Sequence, residues 1–157
     1  MATVSPPASW SYALHLPHNH HAPRVARMTL RAALAGHGMT DRVDAAELLT
    51  SELVTNAYRH SHGPSALRLR HTEGDRLRIS VWDTNPHIPA PFNRRHLTLT
   101  PPPDVATGRG LFLVQHYADN WGGYPLGDDL FGRGGKLLWC ELAPPPHLTE
   151  RVGPADT

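Results

Sequence analysis

Apolar and polar residues alternate with a period of two at Trp10, Tyr12, Leu14 and Leu16, with Ser11, Ala13 and His15 between them. That pattern predicts a strand with one covered face, ending at Pro17. The period then lengthens. Over 24–35, Val25, Met28, Ala32 and Leu34 are expected inward and Arg24, Arg27 and Arg31 form a basic stripe, a first helix entered after Pro23 and stopped at Gly36 and Gly38. A second helix is expected to run to about His60, with Thr40 or Asp41 as its N-cap, Asp44 and Glu47 near its positive end, and Gly63 and Pro64 past its close. Two alternating runs, Ala66 to His71 and Arg76 to Asp83, flank Glu73, Gly74 and Asp75 and predict a hairpin. The prolines between Pro86 and Pro103 exclude a helix over 84–107 and predict a long loop, read as a lid. An apolar helix follows from Leu111 to about Ala118. Trp121 then begins a strand that leads through a glycine-rich turn, with 124–133 as a long connection, to a last strand from Lys136 to Leu142.

The chain has 157 residues, which suits one domain, placed at 10–143 with flexible ends at 1–9 and 144–157. Lys and Arg total 15 against 14 Asp and Glu, a net charge of +1 that lacks the surplus a general nucleic-acid binder uses. No apolar run approaches the roughly 20 residues that cross a bilayer, so no membrane association is expected. The N-terminus has no secretory pattern and Cys140 is the only cysteine, so a cytoplasmic protein without disulfides is expected.

Three segments break the patterns that contain them. On the second helix, Ala45, Leu48, Leu49 and Leu53 are expected to define the buried stripe, and Glu52 and Asn56, four residues apart, fall within it. An inward carboxylate needs a partner such as a metal ion, a water or a phosphate. The plainer alternative pairs Glu52 with an arginine and Asn56 with backbone. On the second hairpin strand, Leu77, Ile79 and Val81 share a face that Asp83 continues, which places an acid on the core side. There it suits an exocyclic amine such as that of adenine, or else caps the turn through Asn85 and Pro86. Finally, Thr107-Gly108-Arg109-Gly110 precedes an apolar helix, where glycines admit a ligand and free amides attract phosphate; a tight turn is the ordinary explanation.

Other signatures fail. Lys136 follows Gly135, but Leu130 and Leu137 stand where a Walker A loop needs Gly and Ser or Thr. The segment from Gly108 to Leu113 lacks the third glycine of a dinucleotide fingerprint. His18, His20 and His21 offer metal-binding chemistry, with an incidental exposed cluster as the alternative.

In order, these segments resemble the anti-sigma-factor serine/threonine kinase-like ATP-binding proteins of the GHKL ATPase superfamily. Ser51-Glu52-Leu53-Val54-Thr55-Asn56-Ala57-Tyr58-Arg59-His60 is similar to the family's N box, and Val81-Trp82-Asp83-Thr84-Asn85-Pro86 with Pro89 to its G1 box. Gly108-Arg109-Gly110-Leu111-Phe112-Leu113-Val114 is similar to its G2 box, and Trp121-Gly122 and Gly135-Lys136 with Trp139 to its last strands. The resemblance covers about 10–143. It implies an α+β Bergerat fold, an α/β sandwich whose mixed, mostly antiparallel sheet carries helices on one face. It also implies ATP and Mg²⁺ as cofactors, Asn56 as the Mg²⁺ ligand, Glu52 as general base and Asp83 as holder of the adenine amino group. Gly108 and Gly110 would cradle phosphates with Arg109 as helper, under the 84–107 loop. Two features depart from the pattern: Leu137-Leu138 replaces a Thr after the lysine, and Pro101 to Pro103 stand in the lid in place of a second glycine-rich motif.

The function implied is an ATP- and Mg²⁺-dependent serine/threonine kinase that phosphorylates an anti-sigma-factor antagonist in a partner switch. A sigma factor is the further partner, and the resemblance implies homodimers paired through the sheet and first strand, with Trp10 and Tyr12 as candidate interface residues, though expected first as core residues. The competing class is a nucleotide-binding regulator that docks a partner without phosphate transfer. A sensor histidine kinase is discounted, because too few residues precede the N-box motif for paired dimerisation helices.

Overall fold

The computed structural model describes residues 9–93, 109–127 and 134–146. The elements are β1 (Ser11–Leu16), α1 (Ala22–Gly36), a 3-10 turn (Thr40–Arg42), α2 (Val43–His60), β2 (Ser65–Thr72), β3 (Arg76–Asp83), α3 (Arg109–Tyr117), β4 (Asn120–Leu126) and β5 (Gly135–Leu142). The strands form one sheet in the order β1-β2-β3-β5-β4, and all four pairings are antiparallel. This is the α+β architecture expected.

Alternation explains how the sheet divides its two faces. Leu67, Val81 and Leu138 stand in register, as do Leu69, Ile79 and Cys140, and all six are buried beneath the helices. Each of the five aliphatic side chains among them contributes about 1.5–3 kcal/mol on removal from water before entropy is counted. The β2–β3 connection closes in three residues because Gly74 and Asp75 both adopt positive φ, 75° and 57°. Asp75 tolerates that conformation while tied from two sides: Arg42 Nη2 donates to its Oδ2 at 2.6 Å, and His71 Nε2 lies 2.8 Å from its Oδ1. Arg42 is itself buried, so this contact fastens the start of α2 to the hairpin.

Three expectations about the helices require correction. The buried residues of α1 are Ala22, Ala26, Leu30 and Leu34, whereas Val25 and Met28 are 44% and 61% exposed and Ala32 is exposed too. Alanines let α1 lie close against α2, and that close approach outranks the size of the apolar side chains in choosing the face. Neither Thr40 nor Asp41 caps α2; they form the 3-10 turn, and Arg42 takes the N-cap position without a side-chain hydrogen bond. The buried stripe of α2 is Ala46, Leu49, Leu53, Val54 and Ala57 together with Thr50 and Asn56, leaving Ala45 and Leu48 half-buried.

Tyr12 is not core but exposed, on the edge strand, where its hydroxyl lies 2.7 Å from His37 Nε2. Trp10 is half-buried and stacks on His37, with ring centroids 4.5 Å apart. The last connection is shorter than expected, since 124–126 belong to β4. The lid residues 94–107, the turn residues 128–133 and most of both tails lie outside the described residues.

Candidate functional site

Both ends of α2 are tied down, which sets the position of its functional face. At the C-terminal end Ser61 Oγ donates to Ala57 O at 2.7 Å, and Asn85 Nδ2, just past β3, donates to His60 O at 2.7 Å. His18 Nε2 lies 2.9 Å from Tyr58 O and its ring stacks on Tyr58. With Leu49, Leu53 and Ala57 packed into the core, Glu52 and Asn56 fall side by side, one turn apart, where α3 crosses.

There the structure brings together Glu52, Asn56 and Gly110. With Thr55, Arg59 and His60 of α2 and Leu111 of α3, they line a narrow cleft of about 30 Å³. Gly110 is held so close that a Cβ on it would stand 1.7 Å from Glu52 Oε2, so only glycine lets α3 meet that carboxylate. Burial raises the Glu52 carboxyl above its ordinary value of 4.5, opposed by the charge of Arg59. No ion pair or hydrogen bond satisfies Glu52 among the described residues, so no arginine among them forms the pair of the plainer alternative. Asn56 is buried, and its Oδ1 finds no hydrogen-bond partner among the described residues. An orphaned buried carbonyl oxygen costs about 1–3 kcal/mol unless a ligand completes it.

A hard oxygen donor without a partner, on a residue that lines the cleft beside a carboxylate, fits Mg²⁺, which takes few protein ligands and fills its remaining positions with water and phosphate oxygens. Asn56 would hold such an ion.

Asp83 lies on the core face, 1% exposed, as its place in the alternation of β3 predicts. Its Oδ1 accepts the Asn85 N–H at 2.8 Å, the turn-capping contact. Both of its oxygens also lie 2.9 Å from Lys136 Nζ, and that lysine donates to Asn85 O at 3.1 Å. Lys136, which sequence reasoning places only in the last strand, is thus the buried partner of Asp83. Lys136, Leu138, Cys140 and Leu142 alternate along β5, so the pattern that buries three apolar side chains also buries this ammonium. Gly135 makes the approach close: its φ is 101°, and a Cβ there would lie 1.9 Å from Asp83 O.

Gly108 and the Arg109 side chain lie outside what is described; Arg109 opens α3. The histidine cluster gains no support as a metal site, since no group of three or more His, Cys, Asp or Glu is arranged to hold an ion among the described residues. No helix among them is long and apolar enough to cross a membrane.

Residues 16–125, more than half of the chain, match a family model described as the histidine kinase-like ATPase domain. No curated protein matches the chain.

Proposed function

Because the chain belongs to the histidine kinase-like ATPase domain family, we propose that it binds ATP with Mg²⁺ and transfers the γ-phosphoryl group to a serine or threonine hydroxyl of an anti-sigma-factor antagonist. A sigma factor is the alternate partner in the resulting switch. The observation that carries this reading is the pairing, one helical turn apart, of a carboxyl with raised proton affinity and an amide oxygen without a partner.

In this reading Glu52 accepts the proton of the attacking hydroxyl as that oxygen bonds to the γ-phosphorus and the bond to the β-phosphate bridging oxygen breaks. A carboxyl held above its ordinary range is better matched to that task near neutral pH than an exposed one. Asn56 would hold the metal, whose chemistry there would be neutralisation of charge on the phosphate oxygens. Gly110 admits the phosphates beside Glu52, and Asp83, fixed by Lys136, offers acceptor capacity to the exocyclic amine of adenine.

The direct test is incubation of the full chain with γ-labelled ATP and a candidate antagonist. Label on the antagonist that is lost in Glu52→Gln supports the kinase. Tight ATP binding without transfer leaves instead a regulator that docks its partner in the nucleotide-bound state.

A further inference from the structure

The sheet face turned away from the helices carries a second candidate surface. In register across it stand Ala66, Trp82, Leu137 and Tyr124, and beside them Ala13, Arg68, Ser80 and Trp139. All of these but Trp139, with Arg70 and Arg78, line an open groove of about 250 Å³. Tyr124 is 47% exposed, and Trp82 and Leu137 are half-buried.

The charges on this face do not balance. Arg70 pairs directly across the ladder from Arg78, and like charges so placed destabilise a sheet. Arg78 resolves its charge by reaching Glu141 at 2.6 Å and lying 4.3 Å from the Trp139 ring centroid. Glu141 is shared with Arg76 at 3.5 Å, which uses up the carboxylate of this face. Arg68 reaches only the Ser11 hydroxyl, at 3.3 Å, and Arg70 meets no carboxylate among the described residues. Among the described residues, two guanidinium groups without a carboxylate partner therefore border an apolar groove, the aromatic-plus-arginine composition in which interface energy concentrates.

We propose that this face docks an acidic polypeptide segment, its carboxylates on Arg68 and Arg70 and an apolar or aromatic side chain against Trp82 and Tyr124. Charge complementarity selects that occupant. Pairing this face with its own copy would bring two arginine-bearing surfaces together without a free carboxylate among the described residues to receive them. The surface lies on the opposite side of the sheet from the Glu52–Asn56 cleft, so its occupancy is independent of the kinase reading.

A fluorescein-labelled random copolymer of glutamate and tyrosine serves as probe, read by anisotropy at low salt. The full chain should bind it, and Arg68→Glu with Arg70→Glu should weaken binding by about tenfold or more. Trp82→Ala should weaken it also, while Arg24→Glu on α1 changes it by less than about twofold. Saturating ATP with Mg²⁺ should leave these values unchanged. Three results would each overturn the proposal: affinity for the copolymer that is absent or indifferent to the arginine reversals, an oligothymidylate that binds more tightly through the same arginines, or a dimer in sedimentation that the reversals dissociate.

Discussion

Lys136 Nζ stands 2.9 Å from each carboxylate oxygen of Asp83, and both side chains are almost wholly shut away from water. A buried pair of this kind is poor evidence of net stabilisation, because desolvating two ions costs about what their attraction returns. Its value here is positional. Asp83 cannot swing, since the lysine holds both oxygens and the Asn85 amide holds one of them.

Breaking that pair from one side has a defined outcome. Lys136→Met leaves an uncompensated buried carboxylate and should cost about 3–5 kcal/mol in urea unfolding. Adding Asp83→Asn to it should recover most of the loss, because the amide keeps the Asn85 contact without the charge. A double variant no more stable than Lys136→Met alone would show that the ion pair is not the origin of the effect.

Gly110 separates stability from activity. A methyl group there collides with the end of the flexible Glu52 side chain, not with backbone, so the carboxylate can turn aside. Gly110→Ala should change unfolding free energy by less than about 1 kcal/mol. Phosphate transfer should fall by about a hundredfold, the lower range for losing a positioned general base. Unchanged transfer would place the reacting proton elsewhere.

The Glu52 carboxyl gives a pH dependence of known sign. Burial raises its proton affinity in the folded chain above the ordinary value of 4.5. Its contribution to stability is therefore full below that value and lost as pH rises through the raised one. Glu52→Gln removes this loss, so it should melt above the wild type at about pH 7.5, with the difference closing by about pH 4. A variant that melts below the wild type at neutral pH would contradict the unpaired setting of the carboxylate.

The face of α1 is open to the same kind of check. Leu30→Ala should cost about 2–5 kcal/mol, whereas Met28→Ala, on an exposed side chain, should stay within about 0.5 kcal/mol. Comparable losses from the two would restore the inward placement of Met28.

What could be read from residue order alone follows a physical division. The β2–β3 hairpin was legible, with β3 predicted at its observed bounds, because period-two alternation and a left-handed turn are both local signals. Glu52, Asn56 and Asp83 stood out because each interrupts an apolar face, and the structure places Asn56 and Asp83 in the buried interior. The side of α1 that packs was misjudged because small alanines decide close helix contact and carry little hydrophobic signal. The docking of β5 beside β3 is a long-range choice with no local trace, so the meeting of Lys136 with Asp83 stayed hidden although the alternation of β5 had already turned the lysine inward.

On the proposed function, Asn56 and Glu52 line the cleft because they face a magnesium-bound triphosphate. Calorimetric titration of the full chain with ATP, with and without Mg²⁺, tests it before any partner is known. Saturable binding that Mg²⁺ tightens, with the Mg²⁺ increment lost in Asn56→Ala, is the predicted result. A folded chain that gives no binding heat at millimolar ATP, or an increment that survives Asn56→Ala, would contradict it.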